Sequence, residues 1–392
     1  MLQKEKNGKP LIYLDSAASS HKPKEVIDGL HHYYLNEYAK TEEQHSTSPL
    51  TTSLVEEVRS KVAKLIGAKH SKEIIFVRGS TEAINLIAES FSDARLKLGD
   101  EIIISALEHH ANIVPWQMAC QQTGAKLKVA PITADGELDF PAFEQLITDK
   151  TKIVSLSHSS NVLGTIFPIK KIAKLLRKRN IPLFVDGAQM APHAPINMQE
   201  LGCDFYTFSV HKMGGTSGLG VLYGKSAMLD SLPPGEGGGE MVENVTFEVS
   251  EYKQLPKKFE AGTPPFAEII AFGILIDYIN KLDIKRTSQY ELELLRYATE
   301  KLSSITNLKL YGTSTEKEPV ISFNLQGYDI KELEQYLSDE WNIAVRAGQL
   351  SAQPLMGVLG VKGLLRVSLC YYNTAEEIDT LCEAIHRFMA EK

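Results

Sequence analysis

The sequence of 392 residues contains few cysteines, and their spacing excludes two kinds of site. Only four are present, and none lies in a CxxC pair or in a Cys/His pattern that binds zinc. A disulfide framework is therefore excluded, and no metal site is expected. So few thiols are typical of a reducing compartment, which predicts a cytoplasmic protein.

Long apolar runs and an excess of positive charge are also missing. No stretch approaches the roughly 18 unbroken apolar residues that span a bilayer, and the apolar run at 11–14 is too short for a signal peptide. The 42 Lys and Arg residues are outnumbered by 49 Asp and Glu residues, so the net charge is −7, and no basic block is present. We therefore expect neither a membrane nor a nucleic acid as partner.

The composition that remains is typical of a folded protein, with 43% hydrophobic and 23% charged residues. At roughly 150 residues per domain, the length predicts two or three domains. From residue 71, β-branched runs alternate with segments of helical period, a pattern typical of a mostly parallel sheet covered by helices. This predicts an α/β fold with one seven-stranded sheet. The predicted strands are 73–77, 101–105, 127–132, 153–157, 183–186, 205–209 and 220–223, with helices at 82–98, 112–123 and 169–179.

A smaller α+β layer is predicted towards the C-terminus. Residues 231–265 are rich in proline and glycine and are predicted to be an ordered loop at a domain boundary. Beyond it, the predicted helices are 266–281, 288–303, 330–337 and one from 374, and the predicted strands are 320–325, 343–346 and 365–371.

Three polar segments follow predicted strands. Residues 78–82, Arg-Gly-Ser-Thr-Glu, open a helix whose N-terminus suits a phosphate, although for this segment alone an ordinary helix cap is the more frequent explanation of Ser80 or Thr81. Asp186 ends an apolar run and suits a pyridinium nitrogen, while Lys212 precedes two glycines and suits a Schiff base. Singly, each has a simpler explanation as a capping or solvated residue. Together they predict a pyridoxal phosphate site.

The sequence from residue 14 onward resembles the Suf-type cysteine desulfurases, within the class V aminotransferase group. The matching runs are YLDSAAS (13–19), FVRGSTE (76–82), EHHANIVPW (108–116), SNVLG (160–164), VDGAQ (185–189), FEAGTP (259–264) and YNT (372–374). The resemblance implies a fold-type I pyridoxal-phosphate-dependent transferase with a large mostly parallel sheet domain and a small α+β C-terminal domain. It places the large cofactor-binding domain at 25–264 and the small domain at 1–24 and 265–392.

The resemblance also implies roles for individual residues. Lys212 is expected to bond to the cofactor and to move the Cα proton, Asp186 to pair with the ring nitrogen, and His109 to stack on the ring. The remaining implied cofactor residues are Asn161 and Gln189 near the phenolate oxygen, Ser80, Thr81, Ser209 and His211 at the phosphate, and Thr263 reaching the other subunit of a homodimer. The implied substrate-binding residues are Arg366, Arg346, Asn161 and His45.

The segment after Arg346 departs from the family. In these desulfurases a mobile loop there carries the nucleophilic cysteine after two histidines, whereas this sequence has Gln349, Leu350 and Ser351. A serine hydroxyl is barely ionised near neutral pH and has no comparable route to sulfur, so persulfide chemistry is not expected. An engineered change explains Ser351 alone but not its two neighbours, and the acidic pair at 42–43 is a further departure.

Two functions remain open from the sequence. The first is an enzyme acting on a small amino acid, cysteine or a β-substituted relative, by lyase, transaminase or epimerase chemistry, with Ser351 in the catalytic loop. The second is a desulfurase homologue without activity that serves as a protein partner. Because position 351 has no thiol, a sulfur-acceptor protein as partner is doubtful.

Overall fold

The computed structural model describes residues 5–6, 8–41 and 48–392. The strands are β1 Glu5–Lys6, β2 Lys9–Pro10, β3 Ile12–Tyr13, β4 Ile74–Val77, β5 Glu101–Ser105, β6 Lys126–Ala130, β7 Thr151–Ser157, β8 Leu183–Asp186, β9 Phe205–Ser209, β10 Gly220–Gly224, β11 Val242–Val245, β12 Ser250–Tyr252, β13 Leu308–Tyr311, β14 Val320–Leu325, β15 Ile343–Ala344, β16 Arg346–Gly348 and β17 Leu364–Ser368. The helices are α1 Lys24–Asn36, α2 Ser48–Leu65, α3 Ser80–Arg95, α4 Val114–Thr123, α5 Phe140–Leu146, α6 Ile169–Arg177, α7 Met198–Leu201, α8 Ser226–Asp230, α9 Phe266–Leu282, α10 Ile284–Ser303, α11 Ile330–Trp341, α12 Gln353–Leu359 and α13 Ala375–Glu391.

The predicted seven-stranded sheet is confirmed, in the order β4-β10-β9-β8-β7-β5-β6. Only β10 runs antiparallel to its neighbours, β4 and β9. Because the chain direction reverses on each side of β10, β4 points the same way as β8 and β9. The carboxyl ends of these three strands therefore meet at one edge of the sheet, where α/β proteins bind their ligands.

Apart from the edge strand β6, the strands of this sheet are largely apolar and buried, because helices cover both faces. Every residue of β4, β5, β8, β9 and β10 is buried. Trp116, Phe205 and Phe208 belong to the core and are at most 1% exposed. The core thus holds the strand ends rigidly where the polar segments leave the sheet.

A second sheet has the order β13-β14-β17-β16 and is entirely antiparallel. Its hydrophobic core includes buried residues of α10, α11 and α13 and also Leu14 from the N-terminal segment. The division into domains stays a prediction. Helix α9, predicted to begin the small domain, packs Phe272 and Leu275 into the core of the first sheet.

Several predicted boundaries were wrong. The run 343–346 is split between β15, which pairs with β3, and β16, which pairs with β17. The strand predicted to extend to 371 ends at Ser368, because the Asn373 side chain accepts a hydrogen bond from Cys370 N at 2.9 Å and turns the chain. The predicted loop 231–265 contains a hairpin of β11 and β12.

The four cysteines differ in burial. Cys203 is buried, whereas Cys120 is only partly buried. Cys370 is buried and lies beyond the end of β17, so it does not share a strand face with Arg366 and Ser368. Among the described residues, no helix is both long and apolar enough to cross a membrane.

A buried ion pair joins the segment after β8 to helix α10. His193 Nδ1 lies 2.8 Å from Glu291 Oε2, and both side chains are at most 5% exposed. Burial alone lowers the pKa of His193, but the charge and hydrogen bond of Glu291 outweigh it and raise that pKa to about 9, with Glu318 contributing. The native protein therefore holds this proton more tightly than the unfolded chain, in which histidine titrates near roughly 6.5.

This ion pair predicts a loss of stability at alkaline pH. Its contribution is complete below about pH 6.5 and is lost as pH rises towards about 9, with a slope of at most about 1.4 kcal/mol per pH unit. Urea midpoints measured between about pH 7 and 9 should fall in the wild type and fall less steeply in His193→Gln. His386→Gln on the exposed face of α13 is the matched control. Identical slopes in wild type and His193→Gln would contradict the assignment.

Candidate active site

One cavity gathers most of the residues singled out from the sequence. It has a volume of about 230 Å³ and lies at the carboxyl edge of the seven-stranded sheet, where residues of the second sheet close it. Predicted site residues that line it are Ser80, Thr81, His109, Asn161, Asp186, Gln189, Ser209, His211, Lys212, Arg346, Ser351 and Arg366. Many of these residues lie in the polar segments that follow β4, β8 and β9, and the carboxyl ends of those strands meet at this edge of the sheet, which explains the convergence.

A lysine and a carboxylate from neighbouring strand ends line the cavity together. Lys212 lies in a 3₁₀ turn directly after β9, and Asp186 is the last residue of β8. Burial, reinforced by Arg366 and Arg346 and opposed by Asp186, lowers the pKa of Lys212 to about 8. An amine with this pKa has a large neutral fraction near pH 8 and can act as a nucleophile or base.

Asp186 keeps capacity to bind a further donor. Among the described residues its carboxylate accepts one hydrogen bond, from Ala188 N at 3.0 Å. Burial raises the pKa of Asp186, while that hydrogen bond and Lys212 lower it. A buried carboxylate with so few partners is costly. A protonated ring nitrogen would supply the missing charge partner.

The N-terminus of α3 forms one end of the cavity. Ser209 Oγ accepts a hydrogen bond from Ser80 N at 2.9 Å and lies 3.0 Å from Ser80 Oγ, so the end of β9 is joined to the N-terminus of α3. A Cβ on Gly220 would lie 2.5 Å from Gly79 Cα, so only glycine permits this approach of β10. The result is a cluster of hydroxyl and N–H groups at a helix N-terminus, a favourable place for a phosphate.

Two histidines lie at different positions around the cavity. His109 lines the cavity, and burial, together with Lys212, lowers its pKa to about 4. Its Nδ1 accepts a hydrogen bond from Ala111 N, which orients the ring. His211 Nδ1 lies 3.2 Å from Ser19 Oγ, and burial lowers the pKa of His211 to about 4 as well. Both rings are therefore neutral near pH 7.

Two amide side chains retain hydrogen-bonding capacity. Gln189 Nε2 donates to Ala17 O at 2.9 Å, and Asn161 Nδ2 donates to Leu350 O at 2.7 Å. Each amide nitrogen carries two protons, so each has one left to donate. Asn161 Oδ1 is buried and has no partner in the described part of the chain. Such orphaned groups are uncommon, and because Asn161 lines the cavity, a hydroxyl group of a ligand would satisfy this oxygen.

Two arginines form the opposite end of the cavity, on paired strands. Arg366 Nη2 lies 2.7 Å from Asp15 Oδ1, and Arg366 Nη1 donates to Asn161 O at 3.0 Å. Arg366 is 3% exposed, and its buried Nε lacks a partner within residues 5–6, 8–41 and 48–392. Arg346 lies opposite Arg366 in the β16–β17 register and is exposed. This arrangement can hold a carboxylate.

The segment that carries Ser351 lies on the wall of the cavity. Leu350 and Ser351 both have left-handed backbone conformations, with φ of 53° and 55°. Ser351 O accepts a hydrogen bond from His110 N at 2.8 Å. Ser351 and Lys212 border the same cavity.

Two predicted residues lie elsewhere. Thr263 is exposed and does not line the cavity, so its role towards a second subunit stays a prediction. His45, like the acidic pair at 42–43, falls outside the described residues. Conversely, Asp15 was not assigned a role from the sequence. Its place in the YLDSAAS run was the available signal, but nothing local indicates that it pairs with Arg366, which is 351 positions away.

The cavity fits pyridoxal phosphate by its own chemistry. It offers an amine at Lys212, a buried carboxylate at Asp186, hydroxyl groups at the helix N-terminus and an orphaned amide oxygen at Asn161. These groups match an aldehyde, a pyridinium nitrogen, a phosphate and a ring hydroxyl. In the described ranges no group of three His, Cys, Asp or Glu residues is arranged to hold a metal ion.

Comparison with protein families decides the assignment. The model of the family described as "Aminotransferase class-V" matches residues 12–381. The chain belongs to the class V aminotransferase family. Cysteine desulfurases of Yersinia pestis (strain Pestoides F) and Yersinia pseudotuberculosis serotype O:3 (strain YPIII) are each 46% identical over 389 residues, which is 99% of this chain and 95% of theirs.

Solved structures of this family agree with the fold. The cysteine desulfurase CsdA from Escherichia coli is 37% identical, with a TM-score of 0.90 over 96% of this chain and 94% of its own. The cysteine desulfurase from Thermococcus onnurineus NA1 is 33% identical, with a TM-score of 0.93 over 97% and 95% of the two chains. As a member of the class V aminotransferase family, the protein is a pyridoxal-phosphate-dependent enzyme, and the predicted cofactor is confirmed.

Proposed function

We propose that this class V enzyme is a Suf-type homologue that acts on a small amino acid, cysteine or a β-substituted relative, and releases the β-substituent by elimination. The observation that carries the proposal is Ser351, which lies on the wall of the cavity where the related desulfurases are expected to carry their nucleophilic cysteine. Elimination requires an acceptor for the Cα proton and a residue that binds the substrate carboxylate. It needs no thiol.

The substrate carboxylate is assigned to Arg366. Its guanidinium is held in a fixed plane by Asp15 and by the carbonyl of Asn161, while Nε remains without a partner among the described residues. A planar guanidinium suits a carboxylate better than an ammonium does. Arg346, exposed at the rim of the cavity, adds a second positive charge.

Lys212 is assigned the Cα proton. Pyridoxal phosphate, when bound, supplies an electron sink for bond cleavage at Cα. The residues that would hold it are Asp186 at the ring nitrogen, His109 at the ring face, Gln189 and Asn161 at the ring hydroxyl, and Ser80, Thr81, Ser209 and His211 at the phosphate. Near its pKa of about 8, the Lys212 amine can accept and return a proton.

The overall reaction is balanced without an oxidant or a reductant. The Cα–H and Cβ–X bonds of the amino acid break, and X leaves with the bonding electron pair and a proton as HX. Addition of one water to the remaining three carbons gives pyruvate and ammonium. Ser351 cannot intercept the sulfur of X as a persulfide, because its hydroxyl is barely ionised near neutral pH.

A homodimer is part of the proposal. Thr263 lies in the turn between the β11–β12 hairpin and α9, where Gly262 N donates to Gly239 O at 2.9 Å. Its exposure leaves it available to a second copy of the chain. We assign Thr263 to the phosphate end of the other subunit's cofactor.

An amino-acid panel tests the function. With cysteine and β-substituted relatives, we expect pyruvate and ammonia to form in equal amounts with the released HX, and alanine to be absent. Formation of alanine or of a keto acid that retains the β-substituent would contradict elimination. Absence of turnover with every member would contradict an enzymatic role and favour the alternative of a non-catalytic partner.

The role of position 351 has its own test. Ser351→Cys restores a thiol at the cavity wall, so we expect it to form alanine and protein-bound sulfur from cysteine at least about tenfold faster than the wild type, because a thiolate is the far better nucleophile. Ser303→Cys, on the exposed face of α10 and outside the cavity lining, places a thiol away from the site and is the control. Equal alanine formation by wild type and Ser351→Cys would show that position 351 does not limit desulfuration.

A further inference from the structure

The Ser351 segment, residues 349–353, has a conformation that needs external support. Leu350 and Ser351 are consecutive non-glycine residues in the left-handed region, with φ of 53° and 55°. This conformation costs an L-residue roughly 1–2 kcal/mol and persists only where the surroundings hold it. The contacts that hold it therefore decide whether the wall of the cavity keeps its shape.

His110 contacts the segment at two points. Its backbone N–H donates to Ser351 O at 2.8 Å, and its side-chain Nε2 accepts from Gln353 N at 2.9 Å. Gln353 is the first residue of α12, so its N–H has no partner within the helix. The imidazole thus caps α12 from a different part of the chain.

Asn161 supplies a third contact. Its Nδ2 donates to Leu350 O at 2.7 Å, and its own backbone oxygen accepts from Arg366 Nη1 at 3.0 Å. The segment is therefore connected through one residue to the arginine assigned to the substrate carboxylate. A displacement of the segment would remove a contact from Asn161, which in turn orients Arg366.

The position of His110 links the segment to the ring-stacking histidine as well. His110 begins a 3₁₀ turn, His110–Asn112, for which His109 is the N-cap. Asn112 Nδ2 donates to the buried carboxylate of Glu108 at 2.7 Å and so anchors the turn in the core. One rigid turn therefore places His109 in the cavity and supports the wall beside it.

We propose that His110 is a positioning residue that holds the Ser351 segment closed over the cavity through its two hydrogen bonds. The inference rests on the proposed function only in taking this cavity as the catalytic one. In this enzyme the segment is a fixed wall, in contrast to a loop that must carry a nucleophile to and from the cofactor. The two hydrogen bonds of His110 give it this supporting role.

Amide hydrogen exchange of the holoenzyme tests the proposal without requiring turnover. In the wild type, the Gln353 amide should be protected although it lies in the first turn of a helix. His110→Leu removes the acceptor and should raise its exchange rate at least about tenfold, whereas His110→Gln, which places an acceptor near the same point, should retain most of the protection. His386→Leu, exposed on α13, is the matched control.

A kinetic comparison separates support of the wall from general stability. His110→Leu should raise KM for the amino acid at least about fivefold and change kcat less than about threefold. His110→Gln should have a KM close to that of the wild type. An unprotected Gln353 amide in the wild type, or unchanged exchange in a folded His110→Leu, would overturn the proposal. Lack of turnover with every amino acid would refute the proposed function alone, because the exchange result still decides the role of His110.

Discussion

Replacing Lys212 by alanine should abolish turnover and the visible absorption of lysine-bound pyridoxal phosphate. The side chain lies in the cavity after β9, and its pKa is lowered to about 8, chiefly by burial. Alanine removes the amine that we assign to the cofactor bond and to transfer of the Cα proton. Loss of general base catalysis alone costs roughly 10²–10⁴-fold, so we expect a fall of at least about a thousandfold in kcat.

The measurement combines absorption spectra of the purified protein with the amino-acid panel. Lys174→Ala, on the exposed face of α6, removes a lysine of the same size and should leave both spectrum and turnover unchanged. Added pyridoxal phosphate should still bind Lys212→Ala without covalent attachment, because Asp186 and the helix N-terminus remain. Visible absorption and turnover that persist in Lys212→Ala would refute its assignment.

The second large effect is expected at Arg366. Arg366→Lys keeps a positive charge, but an ammonium cannot contact Asp15, the Asn161 carbonyl and a substrate carboxylate in one plane. Loss of charge-assisted hydrogen bonds is worth about 2–3 kcal/mol, or roughly 30- to 150-fold in KM. Because we assign the chemical step at Cα to Lys212, we expect kcat to fall less than KM rises.

Arg346→Lys provides the comparison for this prediction. Arg346 is exposed, so water screens its interaction with the substrate carboxylate. Arg346→Lys should therefore change KM by less than about tenfold. Thermal melting of both variants shows whether loss of the buried Arg366–Asp15 contact also destabilises the fold. An equal rise of KM in the two variants would show that Arg366 is not the principal carboxylate ligand.

Much of the fold and of the candidate site could be predicted from the sequence. The seven strands were found because buried strands are continuous apolar runs, and the ends of β5, β8 and β9 agree to the residue. Ser80, Asp186 and Lys212 each follow such a run, so the rule that parallel strand ends share an edge predicts their convergence. The local pattern was sufficient to locate these three residues, because the position of each one depends only on where its own strand ends.

Other parts required contacts between distant positions. Helices α1 and α2 were not predicted, since their weakly apolar faces gain stability by packing on α9. The pairing of Asp15 with Arg366 and the support of Ser351 by His110 join residues 351 and 241 positions apart. No local propensity reports on such hydrogen bonds, because their geometry depends on how the two sheets are joined.

The sequence by itself determined the layered α/β architecture, the cofactor and the absence of a thiol at position 351. Those features depend on residue identity and on local periodicity, which a single chain displays directly. Only the tertiary structure decided that Arg366 is already paired with Asp15, that Thr263 lies outside the cavity, and that Ser351 is held in place by His110 and Asn161. The physical reason is that burial, charge pairing and orphaned hydrogen-bonding groups arise only when remote segments are packed together.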